Sequence, residues 1–413
     1  MVEADLIIRN ASQLICPIEN NQGVSELQII DNGAVAVSQG KIIDYGKSPE
    51  IIRQFASKKI IDASSKVVAP GFVDAHTHPI FFGTRENEFE QRNAGKSYAD
   101  IAKAGGGIRY SVRQVRNASK EQLVEFALPH LDHFLQHGTT TIEAKSGYGL
   151  TLEDEIKSLE VIEELNHLHP IDLVPTFLGA HDIPDEHRAN RQAYIQSIIN
   201  EMIPRIAERK LAEFCDIFCE ENVFNVQEAE TILSAAHGAG LKLKMHADQL
   251  SASGGAELAA KLKAVSADHL DYISLRAIEQ IKMSGTIPVL LPGAVFFLGL
   301  QHYAPARKLI DSGLSVALAT DFNPGTCMTQ SLPLMMTLGC IYMRMTPDEV
   351  WLATTLNAAK AISREKSIGL IQPMAQADLV IWNMPTYKYL PYHFGVNLVD
   401  QVIKKGRSVW KST

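Results

Sequence analysis

Two rhythms of apolar and polar positions divide the chain. Over residues 1–66, short apolar runs (Leu6-Ile7-Ile8, Ala34-Val35-Ala36-Val37 and Ile42-Ile43-Asp44-Tyr45) are separated by Asn/Gly/Ser-rich turns such as Ser38-Gln39-Gly40-Lys41. Runs of that length between such turns predict β-strands. From about residue 68 strands alternate with helices, and strand ends are expected near His78, Glu143, Ala180, Cys219, His246, His269, Leu291 and Asp321. Ser119 with Gln122, and Asn225 with Glu228, read as capping boxes before apolar-periodic runs that stop at Gly138 and at Gly238 and Gly240. Further helices are expected over Gly255–Lys263, Leu275–Met283 and Pro305–Asp311. Eight strand–helix units predict an α/β fold of the (β/α)8 TIM type, because parallel neighbours need crossovers and a closed sheet has no edges. A doubly wound open sheet is the alternative, but no G-x-G-x-x-G follows the first strand.

After the eighth strand come two more helices, the second opened by Thr346, Pro347 and Glu349. Beyond about residue 365 the strand rhythm returns in Ala377–Trp382 and Leu398–Ile403, with a turn at Lys404-Lys405-Gly406. The expected organisation is therefore a barrel over residues 67–364. Residues 1–66 plus 365–413 would form a small β-sandwich-like domain built from both termini.

Composition narrows the class without changing that picture. The 413 residues, 46% hydrophobic and 21% charged, suit a globular protein with room for a barrel and a second domain. A net charge of −8 without a Lys/Arg cluster argues against nucleic acid as a partner. The longest apolar stretch, Ile287–Leu300, is broken by Pro288, Pro292 and Gly293, so no membrane helix is expected. Five scattered cysteines and a start without a basic region or long apolar core fit a reduced, cytoplasmic location. Cys215 and Cys219, four apart in an apolar run, read as buried thiols rather than ligands.

The chemistry gathers where a barrel puts its active site, at the C-terminal ends of the strands. His76 and His78 close the first strand, and residues two apart on a strand share a face. Alone, such a pair reads more readily as a polar strand terminus than as a metal site. His246 closes the fifth strand, His269 the sixth and Asp321 the eighth, however. Four strand ends converging on histidine or aspartate predict a metal centre.

Six motifs carry a family resemblance. They are Pro70-Gly71-Phe72-Val73-Asp74-Ala75-His76-Thr77-His78, Glu143-Ala144-Lys145-Ser146-Gly147-Tyr148-Gly149-Leu150, Phe177-Leu178-Gly179-Ala180-His181, His246-Ala247-Asp248-Gln249, Ser266-Ala267-Asp268-His269-Leu270 and Ala319-Thr320-Asp321-Phe322-Asn323-Pro324-Gly325-Thr326. Along essentially its whole length the chain resembles the amidohydrolase superfamily of metal-dependent hydrolases. Within it, the chain is similar to hydrolases that open the imidazolone ring in histidine degradation.

The resemblance implies one divalent ion per subunit, zinc in preference to iron, held by His76, His78, His246 and Asp321. Two-metal relatives carry a bridging residue, often a carboxylated lysine, at a middle strand end. The fourth strand, Phe214–Glu220, offers none, and Lys145 reads as a loop or scaffold charge. By the same resemblance Asp321 takes the proton of the attacking water and returns it to the departing ring nitrogen. His269 orients that water or stabilises the oxyanion, with a ligand role as its alternative. Gln249 stands where some relatives have glutamate; an amide cannot titrate, so it can only hydrogen-bond.

The implied substrate is a small molecule with a free carboxylate, matched by the guanidinium of Arg85 unless that is a solvated surface arginine. Tyr148 and His181 would meet the ring, and Asn323, Gly325 and Thr326 would line the strand-eight loop around it. The connection from Pro79 to Ser119, with Gly105-Gly106-Gly107, is a mobile lid bearing Tyr98 or a plain flexible loop. A homodimer is what the family suggests. A single-metal heterocycle deaminase of the same superfamily is the rival reading, and a non-catalytic barrel binding module the remote one.

Overall fold

The computed structural model of the chain describes residues 1–20, 23–96, 100 and 105–412. Tyr98 lies outside them. Eight parallel strands pair in sequence order: Phe72–Asp74, Thr139–Lys145, Asp172–Ala180, Phe214–Cys219, Lys242–Ala247, Ser266–His269, Ile287–Leu290 and Ala317–Leu318. Strands eight and one meet just beyond their ends. Asp321 N donates to His76 O (3.1 Å), His78 N to Phe322 O (2.9 Å), and Thr77 bridges Phe322 in parallel register. The barrel is thus closed by the backbone of the residues expected to hold the metal. Asp74 reinforces the seam by accepting from Thr320 N (3.1 Å) and Thr320 Oγ1 (2.6 Å).

The helices form where the caps place them. Lys120–Gln136, Val226–Gly238 and Pro347–Ala353 each carry both halves of a capping box, from Ser119/Gln122, Asn225/Glu228 and Thr346/Glu349. Gly255–Lys261, Leu275–Ser284 and Ala306–Asp311 also match expectation, with ends shifted by one or two residues. The connection after strand one, expected as a lid or a flexible loop, holds the helices Glu86–Asn93 and Ile108–Asn117 among its described residues. The second buries Ser111, Val112 and Val115, an i, i+4 stripe too short to stand out in sequence.

The termini meet in one mixed sheet. Its order is Arg407–Lys411, Val399–Lys404, Leu379–Trp382, Val67–Pro70, Leu6–Glu19, Ser25–Ser38 and Lys41–Lys47, with Ile60–Asp62 also on Leu6–Glu19. Val67–Pro70 stitches the two ends together, antiparallel to Leu379–Trp382 and parallel to Leu6–Glu19. Both expected turns are two-residue hairpins with positive φ at each centre: Gln39 (51°) and Gly40 (73°), Lys405 (48°) and Gly406 (72°). That geometry matches strand twist and favours glycine. One face of the sheet, with Leu6, Ile8, Val35, Val37, Leu379 and Ile381, packs with Leu356, Leu370 and Ile371 from beyond the eighth barrel strand. The other, with Ile7, Ala34 and Ala36, covers Ile51 of the helix Ser48–Gln54. Among the described residues no helix is long and apolar enough to cross a membrane. All five cysteines are free, and Cys215 and Cys219 are buried.

Candidate active site

Period-two geometry carries His76 and His78 past strand one toward the same side, and their Nε2 atoms lie 3.2 Å apart. His246, near the end of strand five, brings its Nε2 to 3.4 Å from that of His78. Asp321 Oδ1 stands 3.5 Å from His76 Nε2 and 3.4 Å from His78 Nε2. All four side chains are buried. Asp321 reaches this place with φ of 55°, and Asp248 (49°), His269 (77°) and Leu270 (62°) are also left-handed. Strained backbone of this kind gathers at functional sites.

The donor set fits a metal ion. Bonds of about 2.0–2.1 Å in a tetrahedral site would hold neighbouring donors about 3.3–3.4 Å apart. His76 Nε2, His78 Nε2 and Asp321 Oδ1 stand 3.2–3.5 Å from one another, and His246 Nε2 adds a fourth donor 3.4 Å from that of His78. Burial, and then the charge of Lys145 and the neighbouring imidazoles, holds the His76 imidazole far below its usual range; burial, then His246 and Lys145, does so for His78. Both are therefore neutral at pH 7, as a ligand must be. His269 is pushed down to about 3, chiefly by burial. Its ring centroid is 5.5 Å from His76 and 5.4 Å from His246, and with them it forms a second group able to hold an ion.

Two carboxylates back the imidazoles from the Nδ1 side. His76 Nδ1 is 2.6 Å from Asp268 Oδ2, and His246 Nδ1 is 3.0 Å from Asp216 Oδ2, off the line of a good hydrogen bond. Fixing Nδ1–H of His76 in this way leaves its Nε2 as the donor atom. Sequence reasoning missed Asp216 and Asp268. Period two offered a signal, since Asp216 interrupts an apolar strand and Glu143 with Lys145, Lys244 with His246, and Ser266 with Asp268 are alternate polar positions that are all buried. Lys145 ends strand two itself, fully buried, so it is a scaffold charge and not a loop charge.

The expected substrate residues fall into two groups. Tyr148 is buried beside the donors, its ring 6.1 Å from His78 and 5.3 Å from His181. His181 stacks on His78 at 5.1 Å and ties Nδ1 to Gly147 O (2.9 Å), turning Nε2 outward from that bond. Gln249 is half-buried just after strand five. The other group is already engaged. Arg85 pairs with Glu88 (2.6 Å), and a Cβ on Gly325 would collide with its guanidinium. Asn323 spends its side chain inside the strand-eight loop, donating to Asp321 O and Thr326 Oγ1 and accepting from Gly325 N and Thr326 N. Thr326 Oγ1 is in turn 3.4 Å from Asp321 Oδ2.

Barrel, composite sheet and clustered donors together define a metal-dependent hydrolase. The amidohydrolase family model matches residues 67–409, and the chain belongs to that family. It is 48% identical to the imidazolonepropionase of Thermoanaerobacter pseudethanolicus, covering 98% of this chain and 97% of that protein. It is 49% identical to the imidazolonepropionase of Geobacillus sp. (strain WCH70), covering 98% of both. Among solved structures, a 5-methylcytosine deaminase from Klebsiella pneumoniae superposes with a TM-score of 0.75 at 17% identity, covering 98% of each chain. A zinc-bound adenosine deaminase from Xanthomonas campestris superposes at 0.73 and 18%, covering 98% of this chain and 93% of that one. At such identity they show the shared fold alone.

Proposed function

We infer that this enzyme is an imidazolonepropionase, hydrolysing 4-imidazolone-5-propanoate to N-formimidoyl-L-glutamate in histidine degradation. The observation that carries it is the meeting of His76, His78 and Asp321 within 3.2–3.5 Å, with His246 Nε2 3.4 Å from His78 Nε2. They do so in a chain about half identical, end to end, to imidazolonepropionases.

In this reading those four residues hold one divalent ion, zinc in preference to iron. Such an ion supplies Lewis acidity and brings the pKa of a water at the site toward about 7. The water oxygen bonds to the ring carbonyl carbon, and the C–N bond to the ring nitrogen breaks. Asp321 receives the water's proton and hands it to that nitrogen as it leaves. Thr326 and the Asn323-braced loop hold the second carboxylate oxygen of Asp321 in place. His269 faces the same space and steadies the oxygen that becomes negative. Tyr148, His181 and Gln249 line the ring's side, and Arg85 receives the propionate as an alternative to Glu88. The assembly is taken as a homodimer.

The test is product identity by mass spectrometry and an ammonia assay. N-formimidoyl-L-glutamate without free ammonia is expected. Ammonia formed in step with turnover would replace ring opening by deamination.

A further inference from the structure

On the far side of the imidazole rings lies a cluster of fully buried charges that the reaction above does not use. Lys145 Nζ stands 2.6 Å from Glu143 Oε1, 2.7 Å from Asp216 Oδ2 and 3.9 Å from Asp268 Oδ2. The ammonium donates hydrogen bonds to Glu143 and Asp216 and faces Asp268 at ion-pair distance. Each carboxylate has a second partner in the site. Asp268 holds His76 Nδ1 (2.6 Å) and Asp216 faces His246 Nδ1 (3.0 Å). Glu143 Oε2 accepts from the backbone N of Thr77 (3.4 Å), the residue between His76 and His78. Lys244 lies in the same cluster but is held differently. It donates to the carbonyls of Ala75 (2.9 Å) and Ala361 (3.4 Å) and stays 3.9 Å from Glu143 and Asp268.

We propose that Lys145 is a positioning residue for the metal site: one buried ammonium bonds Glu143 to Asp216, and so joins the carboxylate facing His246 to the one that holds the backbone between His76 and His78, while it shares Asp268 with Lys244. Strands one and five then present their donors as one preformed set. Without that ammonium the three carboxylates would share a dry space with Lys244 alone. Displacement of Asp216 or Asp268 would release the imidazole that each one faces. The inference rests on His76 and His246 being ligands, as proposed above.

The test compares Lys145→Met with Lys244→Met, which removes the same charge from the same cluster. Zn2+ affinity is measured by competition with a chromophoric chelator, and the visible d–d bands are recorded after loading with Co2+. Lys145→Met should weaken zinc binding at least tenfold and shift the cobalt bands, by the loss typical of groups that orient ligands. Lys244→Met should lower the melting temperature while leaving both within about threefold, because its main contacts are backbone carbonyls. Wild-type affinity and spectrum in Lys145→Met, or equal losses in both variants, would overturn the proposal. Absence of zinc binding by wild type would overturn the ligand assignment as well, which separates the two failures. If either lysine variant does not fold, a double-mutant cycle of Asp216→Asn and Glu143→Gln on zinc affinity replaces it. Coupling through Lys145 predicts non-additive losses, and independent losses would contradict it.

Discussion

Asp268 Oδ2, on strand six, and His76 Nδ1, just past strand one, lie 2.6 Å apart with no solvent exposure on either side chain. The contact fixes the proton on Nδ1 and aims Nε2 at His78 and Asp321. Asp268→Asn replaces an ionic acceptor by a weaker amide. Zinc affinity should fall about 10–100-fold, the usual cost of losing such a support. Chelator competition on the folded variant checks it, and unchanged affinity would show that the imidazole is held by packing alone.

Arg85 and Gly325 form a second tight relationship. Any side chain at 325 meets the guanidinium, so Gly325→Ala should displace Arg85 at an overpacking cost of about 1–3 kcal/mol. If Arg85 receives the substrate carboxylate, that cost appears as a KM raised roughly 5- to 150-fold. Arg85→Ala should raise KM by at least as much, and Arg85→Lys should recover only part, since the planar fork is lost. Steady-state kinetics of the three variants decide it; an unchanged KM in Arg85→Ala would remove Arg85 from the substrate site.

The barrel seam predicts a stability effect away from chemistry. Thr320 donates through both N and Oγ1 to the buried Asp74. Thr320→Val keeps the shape and deletes the hydroxyl donor, so unfolding free energy should fall by about 1–3 kcal/mol. Urea denaturation of the metal-free protein measures it.

Acid should unfold the protein partly through His130. Burial among Phe81, Phe126 and Phe322 (5.4, 5.3 and 5.2 Å between ring centroids), and then the charge of His133, lowers its pKa from 6.5 to about 4. The unfolded chain then binds a proton near pH 6.5 that the folded chain refuses until about pH 4. This contribution to stability is intact above pH 6.5 and is lost as pH falls from 6.5 toward 4. His130→Phe should lose less melting temperature than wild type between pH 7 and pH 4.5. Identical slopes would contradict the assignment.

What the sequence made legible follows from local rules. Eight apolar runs separated by capped helices gave the barrel, because capping boxes and strand alternation are written within a few neighbouring residues. The donors were legible for the same reason, each falling at the end of a recognisable strand. Their supports were not. Asp268 is 192 residues from His76 and Lys145 is 71 from Asp216, and no local period says which buried charges meet across a barrel. Arg85 is legible as a guanidinium near the barrel mouth, whereas its pairing with Glu88, three residues on, is not. The helix Ile108–Asn117 was hidden by brevity, with three buried positions in ten residues.

The most direct measurement is the loss of 4-imidazolone-5-propanoate absorbance, followed for protein carrying one zinc per chain, for the same protein after chelation, and for Asp321→Ala. Turnover by the loaded wild type is predicted, with loss on chelation, recovery on adding zinc, and a fall of roughly 10²–10⁴-fold in the variant. No turnover by the zinc-loaded wild type, or turnover that survives complete metal removal, would contradict a metal-dependent ring opening built on His76, His78, His246 and Asp321.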